Sequence, residues 1–254
     1  MSFIRLVFYE CLYFTNFRNK MYQFLLFIQP IVYLFIVKYM LMMRDGVNEE
    51  KYLFAIGIMS MWSYVLYSSG SSLVSLHWSG TFEIILNTNT SVYQILLSKA
   101  ISNSIIGALT IVITLAYAKL IFSFQLSFDF LLGIIVSTIV LIFSLISIGM
   151  LLSILYSFSN NVYAHQNLIA FPMMLVSGIF YPVHMLPEAV QFISNVIPMS
   201  WAIDALYYTV ENNTIPIIPT IISLVISIIY FLLSYLILKR MTQKIKETSV
   251  MGVF

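Results

Sequence analysis

The chain has 254 residues, of which 61% are hydrophobic and 9% charged, with a formal net charge of +2. Soluble domains average about 45–50% apolar and about 25% charged residues, so this composition excludes a water-faced globular domain and indicates a polytopic membrane protein. The small net charge points to no nucleic-acid partner, and the single cysteine, Cys11, excludes an internal disulfide and a cysteine-based metal site.

In residues 1–20, Phe3, Ile4, Val7, Phe8 and Cys11 share one helical face with Leu12 beside it, and Arg5, Arg18 and Lys20 supply positive charge. That pattern predicts a helix lying in the membrane interface. Arg18 and Lys20 also interrupt the apolar run, and no small-residue cleavage site follows, so a simple signal peptide is not expected. Six apolar stretches then follow, at 21–41 (with Pro30 in its middle), 53–76, 92–122, 128–156, a shorter one at 167–183, and 215–238. A helix of about 20 apolar residues crosses ~30 Å of hydrocarbon. The runs are too continuous for the alternation of a membrane β-barrel. The expected fold is therefore all-α, a single transmembrane domain over 1–254 with six transmembrane helices.

Lys and Arg orient the bundle. With the N-terminus in the cytoplasm, Arg5, Arg18, Lys20, Lys99, Lys239, Arg240, Lys244 and Lys246 lie inside, and only Lys38, Arg44, Lys51 and Lys119 lie outside. Both termini are thus expected in the cytoplasm. The segment "NNVYAHQN" around His165 then falls in a short inner loop.

Two connections stand out. The inner loop 77–91 opens with His77-Trp78-Ser79; Gly80 breaks the preceding helix, and Glu83 sits in the first turn of a short apolar helix over 82–86. An acid there is favourable with the helix dipole by ~0.3–1 kcal/mol, which accounts for Glu83 without any functional role. Asn87 to Ser91 reads as a turn. The outer segment "SGIFYPVHMLPEAVQFISNVIPMSWAIDAL" (177–206) contains Pro182, Pro187 and Pro198, with Pro172 just upstream, and the acids Glu188 and Asp204. A full crossing here would put Lys239, Arg240, Lys244 and Lys246 on the outer side, so residues 184–212 are expected to begin and end outside. Leu186, Val190, Ile193 and Ile197 repeat at helical spacing, opposite Glu188, Gln191 and Asn195. Pro187 and Glu188 suit a first helical turn, Pro198 ends that helix, and Ser200 is a candidate cap for a second one carrying Trp201, Ala205 and Tyr208. Residue chemistry leaves two readings open, a re-entrant helical hairpin or an amphipathic loop on the membrane surface.

Catalytic and metal constellations are poor. His77, His165 and His184 fall on different loops, and no G-x-x-x-x-G-K-[ST] phosphate loop occurs. Intramembrane polar residues, by default functional candidates, are few: Gln29, Lys38, Asn103 and Lys119. Lys38 and Lys119 can snorkel from the outer ends, and Gln29-Pro30 reads as a kink with an interhelical hydrogen bond. No intramembrane carboxylate pairs with a base, which argues against an ion-coupled carrier and for an apolar or amphipathic cargo. Most of the 20 Phe, 17 Tyr and 14 Met residues read as lipid-facing bulk and interfacial belt.

The stretch Gly80-Thr81-Phe82-Glu83, followed by a helix, a polar turn and a span carrying Lys99, resembles the first cytoplasmic loop of the type-2 exporter permeases of the ATP-binding-cassette transporters. Ser177-Gly178-x-Phe180-Tyr181-Pro182, then Leu186-Pro187, Pro198 and Asp204-Ala205-Leu206, resembles that family's segment between spans five and six. The resemblance covers essentially the whole chain. It departs from the family pattern at His77-Trp78-Ser79, Asn89, Ile197 and Tyr207. It implies that Gly80, Thr81, Phe82 and Glu83 couple the chain to a nucleotide-binding ATPase subunit. It also implies that Ser177, Gly178, Phe180, Tyr181, Pro182, Leu186, Pro187, Pro198 and Asp204 form a re-entrant extracellular gate. No cofactor is expected in this chain itself; ATP and Mg would belong to the partner subunit. A second copy or a paralogous permease would complete the pathway. The expected cargo is a drug, antibiotic or antimicrobial peptide, with a lipid-linked glycan or an ATPase-independent secondary carrier as alternatives. High Ile, Asn, Lys and Tyr usage points to the plasma membrane of a bacterium with an A+T-rich genome.

Overall fold

The computed structural model of the chain describes residues 3–12, 19–43, 49–88, 91–124, 130–159 and 161–248, and every regular element among them is helical. Arg18, Arg44, the Asn89-Thr90 part of the expected turn and the first residues of the expected fourth span lie outside the described residues. Helix α1 (Phe3–Leu12) comes first. Helix α2 (Lys20–Gln23), a π-helical turn (Phe24–Ile28) and α3 (Gln29–Met42) then run on as one rod. Asn19 starts it, its side chain accepting from the Met21 amide at 2.9 Å. Pro30 explains the π-helical turn: it has no N–H to return to the preceding turn, and the ladder widens just before it.

Next come α4 (Glu49–Gly70), α5 (Ser72–Trp78), α6 (Thr81–Leu86), α7 (Val92–Leu120) and α8 (Leu131–Ser157). They are followed by α9 (Val162–Val176), a 3-10 turn (Val183–Met185), α10 (Glu188–Val196), α11 (Pro198–Asn212) and α12 (Ile217–Thr248). Among the described residues five rods are long and apolar enough to cross a membrane: Lys20–Met42, Glu50–Trp78, Val92–Leu120, Leu131–Ser157 and Ile217–Ile245. They coincide with the expected first, second, third, fourth and sixth spans.

The second rod is the centre of the molecule. Of its most apolar window 83% is buried, against 28% for the first rod and 22% for the last. Small residues let its neighbours approach. A side-chain carbon on Gly107 of α7 would lie 2.9 Å from Val65, and one on Gly149 of α8 would lie 2.9 Å from Ser69. Such contacts replace the hydrophobic drive that lipid cannot supply between membrane helices. Met61, Trp62, Val65 and Leu66 of α4 pack there with Leu141, Leu145 and Ile148 of α8.

The expected fifth span is displaced. Helix α9 starts at Val162 rather than at 167, because the Asn161 side chain accepts from the Ala164 amide at 3.2 Å and caps it. His165 is therefore helical and not in an inner loop. The helix stops at Val176 rather than continuing to 183, since Gly178 takes a left-handed φ of +84°. Its 15 residues measure about 22 Å at ~1.5 Å per residue. The helix nevertheless packs on α4, and at its C-terminal end on α10. Gln166 meets the Tyr67 carbonyl at 3.5 Å, the Trp62 indole reaches the Ala170 carbonyl at 3.3 Å, and Ser194 reaches the Val176 carbonyl at 2.7 Å.

Helices α10 and α11 meet at buried Ile197. The Ser223 hydroxyl donates to the Pro198 carbonyl at 2.9 Å, so this junction lies level with the second turn of α12. Two details differ from expectation. Pro198 opens α11 rather than merely ending α10, and Ser200 sits inside the first turn, buried, not at its cap. The inward face of α10 is Val190, Gln191, Ser194 and Ile197, while Phe192 and Ile193 are exposed. Gln191 turns inward because its amide donates to the carbonyls of His184 and Leu186, holding the 3-10 turn.

Helix α1 lies against α7 through Leu6, Val7, Glu10 and Cys11, all half-buried, and the Glu10 carboxylate pairs with Lys99 at 2.9 Å. Ile4, Phe8 and Leu12 face away from the bundle. The single apolar face expected for this helix is thus divided between protein and surroundings.

Candidate functional site

At one end of the bundle the chain turns three times in quick succession. The hydroxyls of Ser68, Ser71 and Ser72 each donate to the carbonyl four residues earlier, at 2.7, 2.5 and 3.0 Å. Back-bonding of this kind bends a helix, and α4 gives way to α5 there. Gly80 then takes φ +67°, a left-handed conformation that favours glycine, and reverses the chain into α6. Helix α6 is anchored by Phe82, Ile85 and Leu86, which pack with Leu73, Ile154 and Leu238. Phe82 is only 2% exposed, and the His77 ring lies on it at 4.0 Å. Of the four residues expected to couple to a partner, Phe82 therefore faces the bundle. Thr81, sharing a hydrogen bond with Ser79, and Glu83, beside Gly80, remain half-exposed. The most prominent outward side chains are two that sequence reasoning passed over, Trp78 at 69% and Ile84 at 66% exposed. Ile84 carried a usable signal: two residues after Phe82 it falls about 200° around the helix, so it cannot share the buried face of Phe82.

At the opposite end the 177–206 segment folds into a small polar pocket. Ser177 caps α9 by donating to the Met174 carbonyl at 3.1 Å, and Gly178 makes the reversal. The pocket, of about 150 Å³, gathers Gly178, Pro182, His184, Ser200 and Asp204 with Lys51 from the start of α4. Lys51 pairs with Glu211 at 2.7 Å and lies over the Tyr207 ring at 5.2 Å. Tyr207 is buried and donates to the Ile179 carbonyl at 2.8 Å. Asp204 keeps a solvent-exposed edge, yet desolvation of its carboxyl raises it above the ordinary value, with His184 and Lys51 pulling it down and Glu211 pushing it up. Phe180 and Tyr181 are exposed, Leu186 is half-buried, and Pro187 caps α10 from an exposed position. Pro198 is buried at the hairpin junction, away from the pocket. Neither Lys51–Glu211 nor Tyr207–Ile179 is local in sequence, and no spacing signal predicts such pairs.

Between the two ends, a cavity of about 300 Å³ lies among α3, α4 and α9. The widened turn before Pro30 precedes Gln29, whose amide donates to the Tyr33 hydroxyl at 2.6 Å and to Ser63 at 3.4 Å. Its carbonyl oxygen is buried without a partner among the described residues. Trp62, Tyr67 and Phe171 add aromatic surface, and the Tyr67 hydroxyl donates to Asn167. Gln29 makes the expected interhelical contact, and it also lines a cavity that hydropathy alone did not reveal.

Among the described residues no group of three or more His, Cys, Asp or Glu side chains converges to hold a metal ion. The family model described as ABC-2 type transporter matches residues 5–210, which takes in most of α1, both turns around α6 and nearly all of α11. No curated protein matches the chain.

Proposed function

The chain belongs to the ABC-2 type transporter family, and on that footing we propose that it is the membrane permease subunit of an ATP-driven exporter, powered by a separate ATPase subunit. The observation that carries this reading is the knob at α6. A helix of six residues is fixed to the bundle by three buried side chains and turns Ile84 outward, beside the exposed Trp78 at the end of α5. Exposed large apolar residues flanked by polar ones suit a protein-binding surface, and the partner is the ATPase carrying ATP and Mg. Nucleotide-driven motion of that partner moves α6, and Gly80, Thr81 and Glu83 form the turn through which the motion enters the bundle.

Two permeases, identical or paralogous, enclose the path. In this reading α9 is a short fifth crossing that brings the total to six, both termini lie in the cytoplasm of a bacterial cell, and α10–α11 is a re-entrant hairpin that closes the outer exit. Ser177, Gly178, Pro182 and Asp204 shape its floor, and Phe180 and Tyr181 face outward from it. The cavity beside Gln29 mixes aromatic rings with amide and hydroxyl groups, which suits an amphipathic drug, antibiotic or antimicrobial peptide. The test is a pull-down of the tagged chain from its native host in mild detergent, with ATPase activity measured in the eluate. A co-eluting phosphate-loop ATPase that is lost in Trp78→Glu and Ile84→Glu supports the reading. Elution of the chain alone, under conditions that preserve a control complex, refutes it.

A further inference from the structure

A groove of about 230 Å³ lies behind α6, where the start of α7 meets the last turns of α12. Its walls are of two kinds. Leu86, Val92 and Leu238 are apolar, whereas Ser91, Thr242 and Lys239 are polar, and Lys239 carries the only charge among the described lining residues. Tyr93 and Tyr235 also line it, with ring centroids 5.3 Å apart and nearly perpendicular. Lys239 is exposed, and its ammonium has no carboxylate partner among the described residues. Arg240 and Lys244, both exposed, add positive charge on the same stretch of α12.

Depth identifies the surroundings. Residues 217–238 of α12 are long enough, at ~1.5 Å per residue, to cross ~30 Å of hydrocarbon, so Lys239 stands at the boundary where headgroups begin. Tyrosine pairs belong at that level. The positive end of the 29-residue helix α7 opens on the same groove, and Ser91 at its N-cap places no side-chain hydrogen bond on it. Apolar walls below, the Ser91 hydroxyl and a lone cation above, and no acid among the described lining residues to repel an anion together match an acyl chain with a phosphate headgroup.

We propose that this groove binds an anionic phospholipid of the cytoplasmic leaflet, its phosphate held by Lys239 with the Ser91 hydroxyl and its acyl chain against Leu86, Val92 and Leu238. The leaflet rests on the orientation given under the proposed function; the binding itself does not. Because Ile85, Leu86 and Thr88 of the α6 region form one wall, a bound lipid buttresses the knob from behind.

The test uses the full-length chain in neutral detergent, titrated with dioleoylphosphatidylglycerol or dioleoylphosphatidylcholine and read by native mass spectrometry, so it needs no ATPase partner. The anionic lipid is expected to bind more tightly. Lys239→Gln should weaken it about fivefold, the scale of one basic residue at a membrane surface. Lys239→Arg should restore it, and Lys244→Gln, outside the lining, should weaken it less. Circular dichroism and elution volume verify that each variant is folded. Equal binding of both lipids overturns the proposal, as does a folded Lys239→Gln with unchanged affinity or an equal loss in Lys244→Gln. Competition by millimolar inorganic phosphate overturns the lipid as occupant and leaves a free-phosphate site.

Discussion

Replacing Gly80 isolates the turn that sets α6. A Cβ there would meet only the Glu83 carboxylate, at 3.9 Å, so no clash contributes, and the cost of Gly80→Ala is that of holding an L-residue at φ +67°. That cost is about 1–2 kcal/mol. Against it stand Phe82, Ile85 and Leu86, each less than 10% exposed, whose burial is worth roughly 1.5–3 kcal/mol apiece. The anchors outweigh the strain, so α6 stays docked and the deficit appears as more frequent local opening. Amides of residues 81–86 should then exchange about 5- to 30-fold faster, with the melting of the whole protein little changed. Gly80→Asn, which tolerates the left-handed region, should lie close to the parent. The assay is hydrogen exchange by mass spectrometry on the reconstituted chain. Equal exchange in Gly80, Ala and Asn forms would refute the assignment of strain to this turn, and general acceleration across α4 and α8 would refute the claim that the effect is local.

Phe82→Ala should destabilise the protein by about 3–5 kcal/mol, as large-to-small changes in packed sites do, whereas Ile84→Ala should change thermal stability by less than ~0.5 kcal/mol; melting curves in detergent distinguish them. Tyr207→Phe leaves the Ile179 carbonyl buried without its donor and should cost about 1–3 kcal/mol, read by the same melting curves. The Lys51–Glu211 pair has side chains 32% and 41% exposed, so a double-mutant cycle should give a coupling of no more than ~1 kcal/mol that shrinks as salt is added.

Hydropathy located five of the rods to within a few residues at most described ends, because lipid demands a long apolar run and little else satisfies that demand. The reversal at Gly80 was legible too, since it depends on local backbone chemistry, whereas Pro198 read only as the end of α10 and not as the start of α11. Polar residues that face protein rather than water were not. Gln166 is fully buried in α9, yet beside His165 and Asn167 it reads as part of a loop, because sequence carries no record of which helix lies opposite. Ser200 failed likewise: a serine after proline suggests a cap, and only the packing of α11 on α8 and α12 reveals that it is interior. The face of α10 was misjudged because hydropathy ranks Ile193 above Gln191, while two loop carbonyls give Gln191 the stronger reason to turn inward.

The burial of the central rod also has a mechanical meaning. Glu50–Trp78 is about 43 Å long. It is gripped near its middle by the close contacts at Gly107 and Gly149, and it ends in the α6 turn below and at Lys51 above. A rod held at its waist is a lever with a fulcrum. A tilt of about five degrees displaces its two tips by ~2 Å each, in opposite directions. A sideways push on Trp78, carried through the bend between α5 and α4, would therefore swing Lys51 the other way, across a contact with Glu211 that a displacement of that size is enough to break.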